Sequence, residues 1–288
     1  MKILILGVTG MLGNTVFRYL TQDKQIDVWA TLRNASGKTY FPIECQDKLI
    51  SNIDVLDNDS LVSVLADIKP DVVINCVGLI KQLSQADDPL AALPINALLP
   101  HRLQQLCALL GSRLIHISTD CVFNGRKGQY VESDLSDAED LYGKSKLLGE
   151  IQNSPNAVTL RTSIIGHELN SQSSLVDWFL SQSDCVKGYK KAIFSGLPTI
   201  ELAHVIKHYV LPNKSLKGLY HVSAEAIDKY TLLNLIAECY DKKIEIEADD
   251  KVKIDRSLVS SKFREETGYK PDGWPQLIEK MHQMYKGN

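Results

Sequence analysis

A tyrosine and a lysine, Tyr142 and Lys146, lie four residues apart in this chain, and a threonine, Thr119, precedes them. On a helix, this spacing places both side chains on one face. A phenol titrates near pH ~10, so it exchanges protons poorly at neutral pH unless a nearby cation favours its phenolate. Lys146 can supply that cation, and Thr119 can hydrogen-bond an oxygen on which negative charge develops. These residues predict hydride reduction of a carbonyl group, with Tyr142 as the proton donor.

A glycine-rich loop follows the first apolar run and opens the first helical pattern. Glycines at these places allow a tight turn and a close backbone approach to a dinucleotide pyrophosphate, which then lies at the free N–H groups of the helix. Tyr142 and Lys146 are also predicted cofactor contacts, because Lys146 can hold the nicotinamide ribose. In the loop itself, the predicted contacts are Gly7, Thr9, Gly10, Met11, Leu12 and Gly13.

The second predicted strand ends at Arg33, with no carboxylate beside it. An acidic residue at this place binds the adenosine ribose hydroxyls, whereas a basic residue suits the 2′-phosphate of NADP. The sequence therefore favours NADPH, with NADH as the alternative. An ordinary surface arginine is the competing interpretation of Arg33.

Short apolar runs alternate with helical patterns through the first half of the chain. Continuous apolar strands separated by helices are typical of a parallel sheet covered on both faces, so the predicted fold class is α/β, a doubly wound parallel sheet of the Rossmann type. Ser118 and Thr119 then follow a strand at the carboxyl edge, where ligands bind in such sheets. Strands are predicted at 2–6, 26–33, 49–55, 71–77, 113–118 and 157–161, and helices at 11–21, after Asp57, and within 94–110 and 140–152.

The second half of the chain is less regular. Its basic cluster, Lys187, Lys190 and Lys191, is interpreted as a solvated turn. We predict a dinucleotide-binding Rossmann domain over residues 1–160 and a smaller, mainly substrate-binding lobe over residues 161–288, with some segments returning to the sheet. Helices are predicted near 174–182, 201–211, 230–240 and 274–285, and short strands near 219–222 and 243–247.

Composition limits the class of protein. The 288 residues carry a formal net charge of −3, so no strong basic field exists for nucleic acid or an anionic membrane surface. No apolar stretch approaches the ~18 residues that span a membrane. Six cysteines without a Cys-x-x-Cys pair are typical of reduced thiols, which predicts a cytoplasmic protein. His204 and His208 have apolar neighbours that favour packing, and we predict no metal site.

Further motifs accompany these residues. Together with the glycine loop, they resemble the extended short-chain dehydrogenases/reductases, specifically the dTDP-4-dehydrorhamnose reductase-like group of nucleotide-sugar 4-ketoreductases. The likeness runs from the first strand to about Trp274. The motifs are residues 118–125 (STDCVFNG), 141–150 (LYGKSKLLGE), 160–163 (LRTS), 218–222 (GLYHV), 256–258 (RSL) and 261–263 (SKF).

The resemblance implies site residues beyond those above. Thr119, Tyr142 and Lys146 match the catalytic triad of the family position for position. The family pattern also implies cofactor contacts at the adenine and beneath the cofactor. These contacts fall on Asp54 and Val55, and on Cys76, Val77 and Gly78.

The implied activity is NADPH-dependent reduction of the 4-keto group of a nucleotide-activated 6-deoxy sugar, for cell-surface polysaccharide such as O-antigen. Cys121 stands where the reductases usually have Tyr and Ile164 where they have Trp, both facing the sugar. The smaller side chains leave space for an N-acetyl group, which favours a UDP-2-acetamido-2,6-dideoxy-4-keto-hexose over dTDP-4-keto-rhamnose. Compensation by other side chains, with the sugar unchanged, is the alternative. Predicted substrate-binding residues are Lys81, Ser118, Thr119, Cys121, Ser163 and Ile164.

Two other functions share these features. Dehydratases and epimerases have the same fold, but dehydratases that resemble it place an Asp-Glu pair after the hydroxyl residue, and here Cys121 follows Asp120. The regulatory beta subunit of methionine adenosyltransferase also resembles the group, although a binding module needs no paired Tyr142 and Lys146. The sequence leaves open a homodimer, the nucleotide and sugar, the product stereochemistry, epimerisation at C3 and a divalent metal at a subunit contact.

Overall fold

The structure, a computed structural model, describes residues 1–81 and 84–287. The chain forms two compact units. The first comprises residues 1–118, 139–160 and 214–219, and the second comprises residues 119–138, 161–213 and the chain from residue 220 onward. The assignment of substrate binding to residues 161–288 stays a prediction.

Strands and helices alternate along the first unit, and further strands and helices form the second. The strands are β1 (Lys2–Leu6), β2 (Asp27–Thr31), β3 (Leu49–Ile50), β4 (Val72–Asn75), β5 (Arg113–Thr119), β6 (Ala157–Thr162), β7 (Ile164–Ile165), β8 (Cys185–Phe194), β9 (Leu197–Pro198), β10 (Gly218–His221), β11 (Ile227–Asp228) and β12 (Glu245–Asp255). The α-helices are α1 (Met11–Thr21), α2 (Asn58–Ile68), α3 (Pro89–Ala92), α4 (Leu99–Leu110), α5 (Leu141–Leu148), α6 (Leu175–Ser181), α7 (Thr199–Val205), α8 (Lys229–Cys239), α9 (Ser261–Thr267) and α10 (Trp274–Lys286).

A seven-stranded sheet organises the first unit, in the order β10-β6-β5-β4-β1-β2-β3. Strand β1 pairs in parallel with β2 and with β4, β2 pairs in parallel with β3, and β4 with β5. The chain therefore winds outward in both directions from β1, and the ends of β1 and β4 meet where the strand order reverses, the usual ligand position in such sheets. The predicted Rossmann-type α/β fold is confirmed.

The core of the first unit forms where helices α2 and α4 pack on the sheet. Helix α2 begins after Asp57, whose carboxylate accepts a hydrogen bond from the Asp59 N–H at 3.1 Å, and it presents an apolar residue every three to four positions. Burying each large aliphatic side chain stabilises the fold by ~1.5–3 kcal/mol. The cluster includes Leu4, Leu6, Leu61, Leu65, Leu99 and Leu103.

The second unit contains a three-stranded sheet in the order β11-β8-β12. The prediction of a solvated turn at residues 187–191 is wrong, because these residues lie on β8. Lys187 and Lys191 are exposed and face Asp249 and Asp250 on β12, with N–O distances of 3.7 and 3.5 Å. The lysines thus belong to cross-strand ion pairs whose acidic partners are distant in the sequence.

Several predicted boundaries differ from the structure. Strand β3 ends at Ile50 and not at the predicted 55. Helix α5 ends at Leu148 and not at 152, and the following Gly149 packs so closely that a Cβ there would lie 2.0 Å from the Asn96 carbonyl oxygen. Strand β12 continues to Asp255, well past the predicted end at 247, and α9 was not predicted. In the described part of the chain, no helix is long and apolar enough to cross a membrane.

Candidate functional site

The glycine loop between β1 and α1 has the geometry of a phosphate cradle. Gly7 has φ +84°, a left-handed backbone conformation that residues with a side chain rarely adopt. A Cβ on Gly13 would lie 2.2 Å from the Gly7 carbonyl oxygen, so α1 packs directly on the turn. Gly10 is exposed, and as the residue that begins α1 it provides no side-chain cap for the first N–H groups. These N–H groups can therefore bind an anion such as a pyrophosphate.

Two segments pack against this loop. A Cβ on Gly7 would lie 2.9 Å from Val77 Cγ2, so the predicted cofactor segment 76–78, at the end of β4, contacts the glycine turn. The Val77 N–H donates to Asn75 Oδ1 at 3.1 Å, which fixes the path of this segment. On the other side, a Cβ on Gly37 would lie 2.9 Å from Thr9 Cγ2. The structure thus brings together the predicted pyrophosphate loop and the segment after β4.

The predicted adenine-side residues lie beyond β2 and β3. Arg33 is exposed just after β2. The Leu32 N–H donates to the Ile50 carbonyl oxygen at 3.0 Å, which aligns the two strand ends. Asp54 is exposed and accepts from the Leu56 N–H at 2.9 Å, while Val55 packs partly against the core of the first unit. Their contacts with an adenosine remain a prediction.

Lys146 lies on α5 and is buried. Its ammonium donates to the Ile117 carbonyl oxygen at 2.8 Å, and a Cβ on Gly78 would lie 3.9 Å from its Nζ. Burial lowers the pKa of Lys146 to about 8, although the Glu150 carboxylate and Cys76 oppose this shift. Lys146 therefore stays mostly cationic at neutral pH, beside the predicted cofactor segment 76–78.

Tyr142 lies one turn before Lys146 on α5 and is half-buried. The helix begins at Asp140, whose carboxylate accepts from the Gly143 N–H at 2.7 Å. One residue that holds this helix was missed from the sequence. Asn96, in a π-helical turn at Leu93–Leu98, donates to Ser145 Oγ at 3.1 Å and accepts from the Leu79 N–H at 2.9 Å. Asn96 thus joins α5 to Leu79, the residue that follows the 76–78 segment.

Two predicted substrate-binding residues of the first unit have partners within it. The Ser118 hydroxyl is buried and donates to Glu150 Oε1 at 2.7 Å. The exposed ammonium of Lys81 pairs with the Asp140 carboxylate at the start of α5. The first contact holds Ser118 at the end of β5, and the second holds Lys81 at the start of α5. The role of both residues toward a substrate stays a prediction.

Thr119 ends β5 and caps a short turn, Asp120–Val122, in the second unit. Its Oγ1 accepts from the Cys121 N–H at 3.1 Å and donates to Asp120 Oδ1 at 3.2 Å. Asp120 is buried, and burial raises the pKa of its carboxyl group. Burial likewise raises the pKa of the Cys121 thiol to about 12, so this side chain is neutral.

Two cations near this turn were not singled out from the sequence. Arg256 Nε donates to the Phe123 carbonyl oxygen at 2.8 Å, and Lys229 begins α8 with its Nζ 4.5 Å from the centre of the Phe194 ring. Both cations favour the ionised form of Asp120 electrostatically. Burial lowers the pKa of Lys229 to about 8, against the opposing charge of Asp120. The only sequence signal was the place of Arg256 in the 256–258 motif.

Ser163 and Ile164 are half-buried between β6 and β7. The Ser163 carbonyl oxygen accepts from the Leu197 N–H at 2.8 Å, and Ile164 pairs with Leu197 in the β7–β9 ladder. A Cβ on Gly196 would lie 2.1 Å from that same carbonyl oxygen. The backbone at these two predicted sugar-facing residues is therefore held by direct strand pairing.

Several motif residues form a buried cluster within the second unit. The Arg161 guanidinium lies over the Phe123 ring at 4.9 Å and bonds to His221 Nε2 at 2.9 Å. The Phe123 ring stacks on Tyr130, with centroids 4.0 Å apart. Burial, followed by the Arg161 charge, lowers the pKa of His221 to about 3, so the imidazole is neutral and accepts from Arg161. Phe123, Arg161 and His221, from the 118–125, 160–163 and 218–222 motifs, therefore support the fold of this unit.

The two histidines His204 and His208 lie on consecutive turns, with ring centroids 4.5 Å apart. Burial lowers the pKa of His204. Among the residues that the structure describes, no group of three or more His, Cys, Asp or Glu side chains could hold a metal ion.

Comparison with known proteins places the chain beside two kinds of protein. It is 25% identical to the methionine adenosyltransferase 2 subunit beta of Mus musculus over 319 aligned positions, which cover 97% of this chain and 89% of the relative. It is 32% identical to the dTDP-4-dehydrorhamnose reductase of Mycolicibacterium smegmatis over 166 positions, covering 56% of this chain and 45% of that protein.

A solved structure extends the likeness to the whole fold. The dTDP-4-dehydrorhamnose reductase of Bacillus anthracis, solved in complex with NADP, superposes with a TM-score of 0.78 at 22% identity, covering 98% of this chain and 99% of that one. At this identity the likeness concerns the fold alone. The family model described as RmlD substrate binding domain matches residues 1–285. The chain therefore belongs to the RmlD substrate binding domain family.

Proposed function

We propose that this protein is an NADPH-dependent reductase of the 4-keto group of a nucleotide-activated 6-deoxy sugar. The observation that carries the proposal is the place of the Lys146 ammonium. It lies buried one helical turn from Tyr142 and donates to the Ile117 carbonyl oxygen, beside the 76–78 segment that packs on the glycine turn. A cation at this place supports a phenol as proton donor next to a bound dinucleotide.

The residues present fit the implied cofactor. The left-handed Gly7, the close contact of Gly13 and the exposed Gly10 leave a backbone cradle that the pyrophosphate of NADPH would occupy. Arg33 would meet the 2′-phosphate, and the 76–78 segment would lie along the cofactor. When bound, NADPH supplies the hydride for the reduction.

The side chains of this protein would then supply the proton for the sugar oxygen and stabilise the negative charges that develop. Tyr142 donates its phenolic proton to the sugar oxygen as the ketone becomes an alcohol, and the Lys146 cation stabilises the phenolate left behind. Thr119 would hydrogen-bond a substrate oxygen and stabilise the negative charge that develops on it. The product is a nucleotide-linked 6-deoxy sugar of the kind used in cell-surface polysaccharides.

The sugar itself is proposed from Cys121 and Ile164. Both side chains are half-buried and smaller than the Tyr and Trp of the reductase pattern, and the Cys121 thiol is neutral. We therefore propose a UDP-2-acetamido-2,6-dideoxy-4-keto-hexose, whose N-acetyl group would use the vacated space. Restoring the larger pair, Cys121→Tyr with Ile164→Trp, should shift kcat/KM toward dTDP-4-keto-rhamnose by about tenfold.

The test is oxidation of NADPH, followed by absorbance, with both ketosugars and with no sugar. A clearly higher kcat/KM of the wild type for dTDP-4-keto-rhamnose than for the UDP-acetamido ketosugar would refute the sugar assignment but keep the reaction. No oxidation with either sugar would refute the reductase itself. A dehydratase would instead release water from a sugar that has not yet been oxidised, which product analysis by mass detects.

A second candidate is a regulatory subunit, since the murine relative of that name aligns along 97% of the chain. A regulatory role predicts NADPH binding without turnover of any ketosugar. It also predicts a change in the kinetics of a methionine adenosyltransferase on mixing. An unchanged methionine adenosyltransferase rate, together with ketosugar-dependent oxidation of NADPH, would exclude it.

A further inference from the structure

The hydroxyl group of Thr119 has a hydrogen-bond arrangement that conflicts with its proposed task. A threonine hydroxyl offers one donor and two acceptor positions. Here the donor is used by Asp120 Oδ1 at 3.2 Å, and one acceptor position is used by the Cys121 N–H at 3.1 Å. A ketone oxygen can only accept hydrogen bonds. While Asp120 is an ionised acceptor, it therefore competes with the substrate oxygen for the single Thr119 hydroxyl hydrogen.

The arrangement reverses when the Asp120 carboxyl group carries a proton. The carboxylic acid then becomes the donor and Thr119 Oγ1 the acceptor. The two acceptor positions of Thr119 are filled by Asp120 and by the Cys121 N–H, and its hydroxyl hydrogen is free to point elsewhere. At 3.2 Å, the distance between the two side-chain oxygens is longer than the usual O–H···O distance of about 2.5–3.0 Å.

We propose that Asp120 is a positioning residue that acts through Thr119: its carboxyl group, when protonated, donates to Thr119 Oγ1 and directs the Thr119 hydroxyl hydrogen at the ketone oxygen. This inference rests on the proposed reductase function. The proton on Asp120 stays in place during the reaction, since Tyr142 supplies the proton that ends on the product oxygen.

The surroundings of Asp120 shift the pKa of its carboxyl group in opposing directions. Burial raises its pKa, whereas the Arg256 guanidinium, the hydrogen bonds from the turn and the Lys229 ammonium oppose that rise. The Cys121 thiol is a further titratable neighbour, and it is neutral. An Asp at an exposed position of the same unit, such as Asp184, lacks this burial.

The substitution Asp120→Asn tests the inference, because the amide keeps a permanent donor toward Thr119 Oγ1 and cannot ionise. The rate of hydride transfer in a single turnover is measured by NADPH absorbance across the pH range with the saturating ketosugar. We expect the ratio of the D120N rate to the wild-type rate to rise with pH, on the order of tenfold, as wild-type Asp120 loses its proton. The alkaline loss of rate from Lys146 titration affects both proteins equally and cancels in the ratio.

Three comparisons complete the test. Asp184→Asn should follow the wild type at every pH, and Thr119→Val should be slow at every pH with no such dependence. A constant ratio of D120N to wild type would overturn the role of Asp120 alone. Absence of any turnover in the wild type would overturn both this inference and the reductase function.

A second measurement needs no variant at Asp120. In wild-type protein with 13C-labelled aspartates, the NMR chemical shift of the Asp120 carboxyl carbon reports whether this group is protonated. We expect the protonated form at the pH of the wild-type rate plateau. An ionised Asp120 throughout that plateau would overturn the inference.

Discussion

The Lys146 ammonium donates to the Ile117 carbonyl oxygen at 2.8 Å and so ties helix α5 to the end of strand β5. The bond anchors a cation whose pKa burial lowers to about 8. Below this pH Lys146 carries its charge, and above it the amine is neutral. The charge that supports Tyr142 in the proposed reaction is thus present at neutral pH and lost on the alkaline side.

The first prediction follows from this titration. We expect kcat/KM for the ketosugar to fall as pH rises through about 8, because the phenol of Tyr142 becomes a weaker acid when Lys146 loses its charge. Lys146→Met should lower kcat by about 10²-fold at neutral pH and remove this alkaline fall. Lys144→Met, an exposed residue on the same helix, is the matched control and should leave the pH profile unchanged. If the alkaline fall in kcat/KM persists in K146M, another group causes it.

The second prediction concerns Tyr142. Tyr142→Phe removes the proposed proton donor and retains the ring, so turnover should fall by about 10²-fold or more while NADPH binding, measured by fluorescence titration, changes little. Tyr189→Phe, on strand β8, controls for the loss of a phenol elsewhere. Near-normal turnover in Y142F would contradict its assignment as the proton donor.

The elements that position these residues were predictable because their signals are local. β1, α1 and the glycine loop occur within the first 21 residues, where apolar runs, helical spacing and glycines act on neighbours in the chain. The same holds for the start of α2 at Asp57 and for the strand end at Thr119. Local patterns therefore yielded the sheet, the cradle and the Tyr142–Lys146 face.

The contacts that were missed depend on residues distant in the sequence. Asn96 has no distinguishing local pattern, and its role is visible only once Leu79 and Ser145 pack beside it. Likewise, Lys187 looked like part of a solvated turn because its partner Asp249 lies on β12, far along the chain. Long-range pairings of this kind are set by tertiary structure and leave little periodic signal.

The third prediction separates the fold of the glycine loop from its binding role. A Cβ at residue 13 would lie 2.2 Å from the Gly7 carbonyl oxygen, so Gly13→Ala should destabilise the protein by about 1–3 kcal/mol. At residue 10 the nearest atom would lie 3.5 Å away, an ordinary contact, so Gly10→Ala should keep the thermal midpoint. If a pyrophosphate occupies the cradle, G10A should nevertheless weaken NADPH binding by about tenfold. Unchanged NADPH affinity in G10A would place the pyrophosphate elsewhere.

The fourth prediction concerns the choice between NADPH and NADH. Arg33 is exposed just past β2, where the pairing of Leu32 with Ile50 aligns the strand ends, and we propose that it meets the 2′-phosphate of an adenosine held at the carboxyl edge. A charge-assisted hydrogen bond of this kind contributes about 1.5–3 kcal/mol, which corresponds to a 10- to 100-fold preference in kcat/KM for NADPH. Arg33→Ala should erase most of that preference by weakening NADPH alone, because NADH has no 2′-phosphate. Lys24→Ala removes one exposed cation from the same unit and should leave the ratio unchanged. If the wild type uses the two cofactors equally well, Arg33 has no role in cofactor choice and is an ordinary surface residue.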